Sequence, residues 1–100
     1  MEPTKGAETK KLRPCIIVQG DFVNIQSRTV IVAPMLPNHK PWPFAVNLVP
    51  TSNNGLDKDR HINLKQLRAI DISRISKKQG KLEKEYLQLI KQALAIVFDL

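Results

Sequence analysis

The chain has 100 residues, the length of one domain with one core and no room for a separate cofactor domain. Sixteen Lys and Arg against nine Asp and Glu leave a net charge of +7, which suits a polyanionic partner, while five aromatic residues are few for a broad base-stacking platform. One cysteine excludes an internal disulfide, and no apolar run approaches the roughly 18 residues of a membrane span.

Residues 1–11 carry cations with no hydrophobic region after them, so they do not read as a signal peptide, and a cytoplasmic, non-membrane protein is expected. In "KKLRPCIIVQGD", Pro14 locks its own backbone and holds Arg13 extended at the mouth of a strand. Cys15, Ile16, Ile17 and Val18 follow as a strand buried on both faces, with Cys15 as an inert buried thiol. "GDFVNIQS" is rich in loop formers, Asn24 among them, and "RTVIVAPM" supplies a second strand, giving a hairpin with a long connection.

"LPNHKPW" reads as a proline-broken loop, and "PFAVNLV" alternates as a half-buried strand. "PTSNNGLDKD" is a loop turning at Asn54-Gly55. In "RHINLKQLRAID" the apolar alternation slips by one residue, which predicts either a bulge near Lys65 and Gln66 or a change of strand. "SKKQGK" reads as a solvated turn. From Leu82 a helical stripe of Leu82, Tyr86, Leu89, Ile90, Ala93, Leu94 and Val97 predicts one amphipathic C-terminal helix. The whole predicts a mainly β domain over 1–100, a small partly closed antiparallel barrel with a helix packed on it.

Two histidines and one cysteine match no metal pattern, and four scattered glycines form no phosphate loop, so no metal or cofactor is expected. Glu8 stands five residues before Arg13. Such a pair suits RNA cleavage, where the neighbouring 2′-hydroxyl is the nucleophile and the protein supplies a proton acceptor and positive charge. Arginine stays protonated, which assigns Arg13 to electrostatic stabilisation by bidentate phosphate contact; the plainer reading is a solvated strand-end cation. Trp42 and Phe44 read as packing residues or, less readily, as base-stacking ones.

Four segments in order resemble the MazF/PemK (Kid) family of toxin endoribonucleases, whose fold is shared with the gyrase poison CcdB. They are "PTKGAETKKLRPCIIV", like Pro-x-x-Gly-x-Glu followed by Arg-Pro and an apolar strand; "IVAPM"; "KPWPFAV"; and "QLRAID", like Gln-x-Arg-Thr-Ile-Asp. The resemblance implies an SH3-like barrel with added helices and a homodimer. It also implies metal-independent, sequence-specific cleavage of single-stranded RNA that inhibits translation and growth. A MazE-like antitoxin, through which alone operator DNA is bound, would neutralise it. Glu8 and Arg13 then match the functional carboxylate and the catalytic arginine, and Lys10, Lys11, Asn24, Lys40 and Gln66 fall among the RNA-binding positions.

Two departures stand out. Leu36 occupies the place of a Thr or Ser that partners the catalytic arginine, with His39 as a candidate substitute for the missing hydroxyl. The family's opening strand, before Pro-x-x-Gly, has no counterpart in the sequence. Leu36 keeps open a second class of function, a homologue that binds antitoxin or RNA without cutting, or a CcdB-like inhibitor of a protein target.

Overall fold

The computed structural model describes residues 5–9, 13–18 and 28–100, with 5–9 and 77–78 as backbone alone. These residues form seven strands: β1 Lys5–Thr9, β2 Pro14–Ile17, β3 Thr29–Pro37, β4 Ala45–Leu48, β5 Arg60–Asn63, β6 Arg68–Asp71 and β7 Ile75–Lys81. One helix, α1 Lys84–Phe98, follows.

Every strand pair is antiparallel, in the order β4-β5-β3-β2-β1-β7, with β6 also on β3. The sheet is not a closed barrel: among the described residues its end strands, β4 and β7, do not pair. Nine-residue β3 organises it. One edge of β3 pairs with β2 over Val32–Pro34, and the other changes partner from β6 at Val32 to β5 at Met35. Pro34, which has no N–H to donate, stands inside that changeover.

Side-chain alternation divides the sheet into two faces. Ile16, Ala33, Met35, Val46, Leu48, Ile62 and Leu64 face α1, which closes over them with Ile90 and Ala93. Full burial of each large aliphatic side chain here contributes about 1.5–3 kcal/mol before conformational entropy is subtracted. The opposite face carries a second cluster of Cys15, Ile17, Val30, Val32 and Ile70. Burial of the strand after Pro14 on both faces thus serves two cores at once.

The helix begins at Lys84, two residues later than the apolar stripe suggests, because Leu82 is buried in the approach to it. Leu89, at the margin of the stripe, is 44% exposed. Asp99, in a left-handed conformation with φ 55°, ends the helix.

Of two further expectations, one is corrected and the other is decided between its alternatives, in favour of a change of strand. "SKKQGK" is no turn but most of β7, held by its backbone against β1, which the sequence reading also lacked. Neither strand has apolar alternation to reveal it. The phase slip at Lys65 and Gln66 is a 3-10 turn, Leu64–Gln66, in which the Asn63 side chain accepts from the Lys65 N–H at 3.0 Å. It separates β5 from β6 rather than bulging one strand.

Candidate functional site

On the face opposite α1 a cleft of about 430 Å³ opens between the start of β2, the C-terminal half of β3, and the β5–β6 corner. Its floor is apolar, from Cys15, Val32, Pro34 and Leu36, and Arg13, Arg60, Gln66 and Arg68 stand around it. Topology explains the assembly. Cys15 pairs with Pro34, so Arg13 and Leu36 lie two positions beyond that pair on their respective strands. Arg68 pairs with Val32 across the other edge of β3. Exposed Arg13, held extended by Pro14, therefore reaches the cleft from one side and Arg68 from the other.

Arg60 is fixed more tightly. Its Nε donates to Asp57 Oδ1 at 3.0 Å, its Nη2 to Asp57 Oδ2 at 3.4 Å, and its Nη1 to the Met35 carbonyl at 3.0 Å. The hydrogen bond from Arg60 holds the Asp57 carboxyl below its ordinary range. Arg60 thus brings to the cleft a charge already shared with Asp57.

Of the residues singled out in the sequence, Arg13, Leu36 and Gln66 meet in this cleft. The Glu8 backbone pairs with Pro14, the residue after Arg13, and with Lys77 of β7. Lys10, Lys11 and Asn24 lie outside the described residues. Lys40 and His39 are not cleft residues. The chain turns at Asn38, at φ 70°, and carries both towards β4. There His39 Nε2 is 2.8 Å from the Leu48 carbonyl oxygen and 3.9 Å from Asp59 Oδ2, and it does not line the cleft that holds Leu36.

Arg60 and Arg68 were missed by sequence reasoning. Arg68 was within reach of it, because it lies two residues from core residue Ile70 and so shares that residue's face of the strand. Nothing local marked Arg60, since only the β3–β5 register brings it beside Pro37.

Cys15, 4% exposed, has its thiol pushed up to about 11 by burial, with the Arg68 charge pulling weakly the other way. The native thiol is therefore expected to stay unreactive towards a disulfide reagent at pH 8 and to react at once on unfolding. Its raised value also fixes a sign. The folded state keeps a proton that the unfolded chain releases, so this contribution to stability is whole below about pH 9 and declines as pH rises towards 11. A Cys15→Ala variant should lose that alkaline decline, which chemical denaturation across pH will read.

A family model described as "PemK-like, MazF-like toxin of type II toxin-antitoxin system" matches residues 1–98. Endoribonuclease MazF of Staphylococcus saprophyticus subsp. saprophyticus is 33% identical over 102 residues, covering 100% of this chain and 84% of its own. Among solved structures, a mycobacterial endoribonuclease in complex with its cognate antitoxin superposes with a TM-score of 0.86 at 16% identity, over 100% of this chain and 96% of its own. The Mycobacterium tuberculosis toxin MazF-mt6 does so at 0.83 and 22%, over 99% and 98%.

Proposed function

The chain belongs to the family of PemK-like, MazF-like toxins of type II toxin–antitoxin systems, and from that premise we propose that it cuts single-stranded RNA at the Arg13 cleft without a metal ion. The supporting observation is the convergence of Arg13, Arg68 and Gln66 on an apolar floor. Arginine forks suit phosphate oxygens, an apolar floor suits the faces of bases, and an amide suits their edges.

RNA carries its own nucleophile, which limits what the protein must supply. The 2′-hydroxyl oxygen attacks the adjacent phosphorus while its proton passes to a base, for which Glu8, whose backbone pairs with Pro14 next to Arg13, is the candidate. The P–O5′ bond then breaks, leaving a 2′,3′-cyclic phosphate and a 5′-hydroxyl. Between these events negative charge builds on the non-bridging oxygens, where Arg13 provides a fixed, always protonated counter-charge. Lys10, Lys11, Asn24 and Lys40 are assigned to holding RNA beyond the reacting phosphate.

Degradation of messenger RNA and arrest of growth follow from this activity, and the cytoplasm is where it would act. No helix among the described residues is long and apolar enough to cross a membrane. An antitoxin is the expected protein partner, consistent with the antitoxin-bound structure superposed above. Its binding on a homodimer, and contact with operator DNA only through that complex, are part of the same proposal.

Leu36 supports a second, narrower reading, a toxin whose cleavage is weakened. It lies in the cleft with Arg13 and can neither donate nor accept a hydrogen bond, so it cannot partner the guanidinium as a Thr or Ser would, and the leaving oxygen takes its proton from water or from the protonated base. Leu36→Thr is expected to raise the cleavage rate by roughly ten- to a hundredfold, the effect of one hydrogen bond to a charged group of about 1.5–3 kcal/mol. Single-turnover cleavage of a mixed-sequence RNA measures it. An unchanged rate would show that Leu36 is not what limits catalysis.

A further inference from the structure

Across the β3–β5 pair from Leu36 stands His61, on the same face of the sheet as the cleft, and Trp42 covers it. The Trp42 and His61 rings meet edge to face, with centroids 5.7 Å apart and planes at 89°. Trp42 also stacks on Phe44 at 5.2 Å and 21°. Lys40 Nζ lies 5.4 Å from the Trp42 centroid, and Lys65 Nζ lies 5.0 Å from that of Phe44. Trp42 nevertheless remains 40% exposed.

We propose that this group is a stacking subsite for a base of single-stranded RNA next to the bases held in the cleft, an inference that rests on the ribonuclease reading. The platform is built before any ligand arrives. Pro41 and Pro43 flank Trp42. The Asn47 side chain clamps the Lys40 backbone from both sides, accepting from its N–H at 2.9 Å and donating to its carbonyl at 3.0 Å. His61 is itself anchored, with Nδ1 2.8 Å from the Asn38 carbonyl oxygen. A rigid indole loses little freedom when a base stacks on it.

Charge selects the occupant. Two ammonium groups over an aromatic pair match a base flanked by phosphates, because a base that takes the place of an ammonium on a ring leaves that lysine to pair with the backbone. Continuity with the cleft selects the strand. Lys65 directly precedes Gln66 of the cleft, and Leu36 is one strand from the ring-covered His61. A chain leaving the Arg13 phosphate along this face would thus meet Trp42.

Trp42 is the sole tryptophan, so its fluorescence reports on the subsite directly. The probe is a mixed-sequence, 2′-O-methylated RNA oligonucleotide, which cannot be cut, titrated into the wild-type protein with end-label anisotropy read in parallel. A saturable quench of Trp42 at the same midpoint as the anisotropy is expected, and Arg13→Ala should move both midpoints together to higher RNA concentration. Trp42→Leu should weaken binding by roughly five- to a hundredfold, and Lys40→Ala and Lys65→Ala should each reduce the log–log salt slope by about 0.7. Binding and cleavage without any change in Trp42 emission overturn the subsite and leave the ribonuclease reading intact. A change in emission that follows protein concentration and is unaltered by saturating RNA overturns it in favour of self-association. No binding and no cleavage of an unmodified RNA end both proposals.

Discussion

Arg13→Ala is expected to lose a hundredfold or more in RNA cleavage while melting like the wild type. The size follows from the task. A preorganised donor aimed at charge that exists only in the transition state contributes about 10²–10³ in rate, and Arg13 would be the cation nearest the scissile phosphate. The unchanged stability follows from position, because Arg13 is exposed and stands before β2, whose core residues Cys15, Ile16 and Ile17 are untouched by the substitution. Arg13→Lys should fall between the two, keeping a charge but losing the planar fork that grips two phosphate oxygens. Initial rates on a fluorogenic RNA, paired with thermal melts, check this. An active alanine variant would remove Arg13 from the chemistry.

The largest stability effect is expected at the far side of the molecule, in Asn54. This side chain is 2% exposed and uses every part of its amide. Oδ1 accepts from the backbone N–H groups of Thr51 at 3.0 Å and Leu56 at 3.1 Å, while Nδ2 donates to the Val49 carbonyl at 2.9 Å and to Glu83 Oε1 at 3.3 Å. Thr51 Oγ1 donates to the other Glu83 oxygen at 2.6 Å and is the main reason that carboxyl lies below its ordinary range. One amide therefore ties the 49–56 loop to the residue that precedes α1.

Asn54→Ala strands several of those groups at once, which should cost about 2–4 kcal/mol out of a typical total of 5–15. The melting temperature should fall by roughly 10 °C or more. Gly55→Ala should move in the same direction, since φ is +69° there and an added Cβ would lie 2.3 Å from the Gln79 carbonyl oxygen. Neither position borders the cleft, so RNA cleavage well below the melt should persist in both. Calorimetry would contradict this account of the loop by finding Asn54→Ala as stable as the parent.

What the sequence disclosed follows the physics of each element. The strands after Arg13 and around "RTVIVAPM", the alternating "FAVNL" and the helix all announce themselves because their side chains carry the folding signal. β1 and β7 do not, because "KGAET" and "SKKQGK" are joined by backbone hydrogen bonds, and Gly80 packs where a Cβ would lie 2.6 Å from the Asn53 carbonyl oxygen. Glycine in that sequence suggests a turn, whereas its use in the fold is close approach of two backbones.

The site divides along the same line. Arg13, Leu36 and Gln66 were found as members of ordered segments, and the register of β2 on β3 and β3 on β5 brings them together. Arg60 and Arg68 become neighbours of that group only through the register of β5 and β6 on β3, which no local pattern encodes. His39 stands apart from that group. Three residues from Leu36 in sequence, it is carried away by the left-handed turn at Asn38.

The central claim is that RNA is cut by its own 2′-hydroxyl in the Arg13 cleft. Its most direct test is to incubate the wild-type protein and single-stranded RNA with a metal chelator, map the cut and identify both new ends. The account predicts cleavage with a 2′,3′-cyclic phosphate and a 5′-hydroxyl, abolished by one 2′-deoxy substitution at the cut. Cleavage that needs a divalent ion and leaves a 5′-phosphate, or that survives the deoxy substitution, would contradict it.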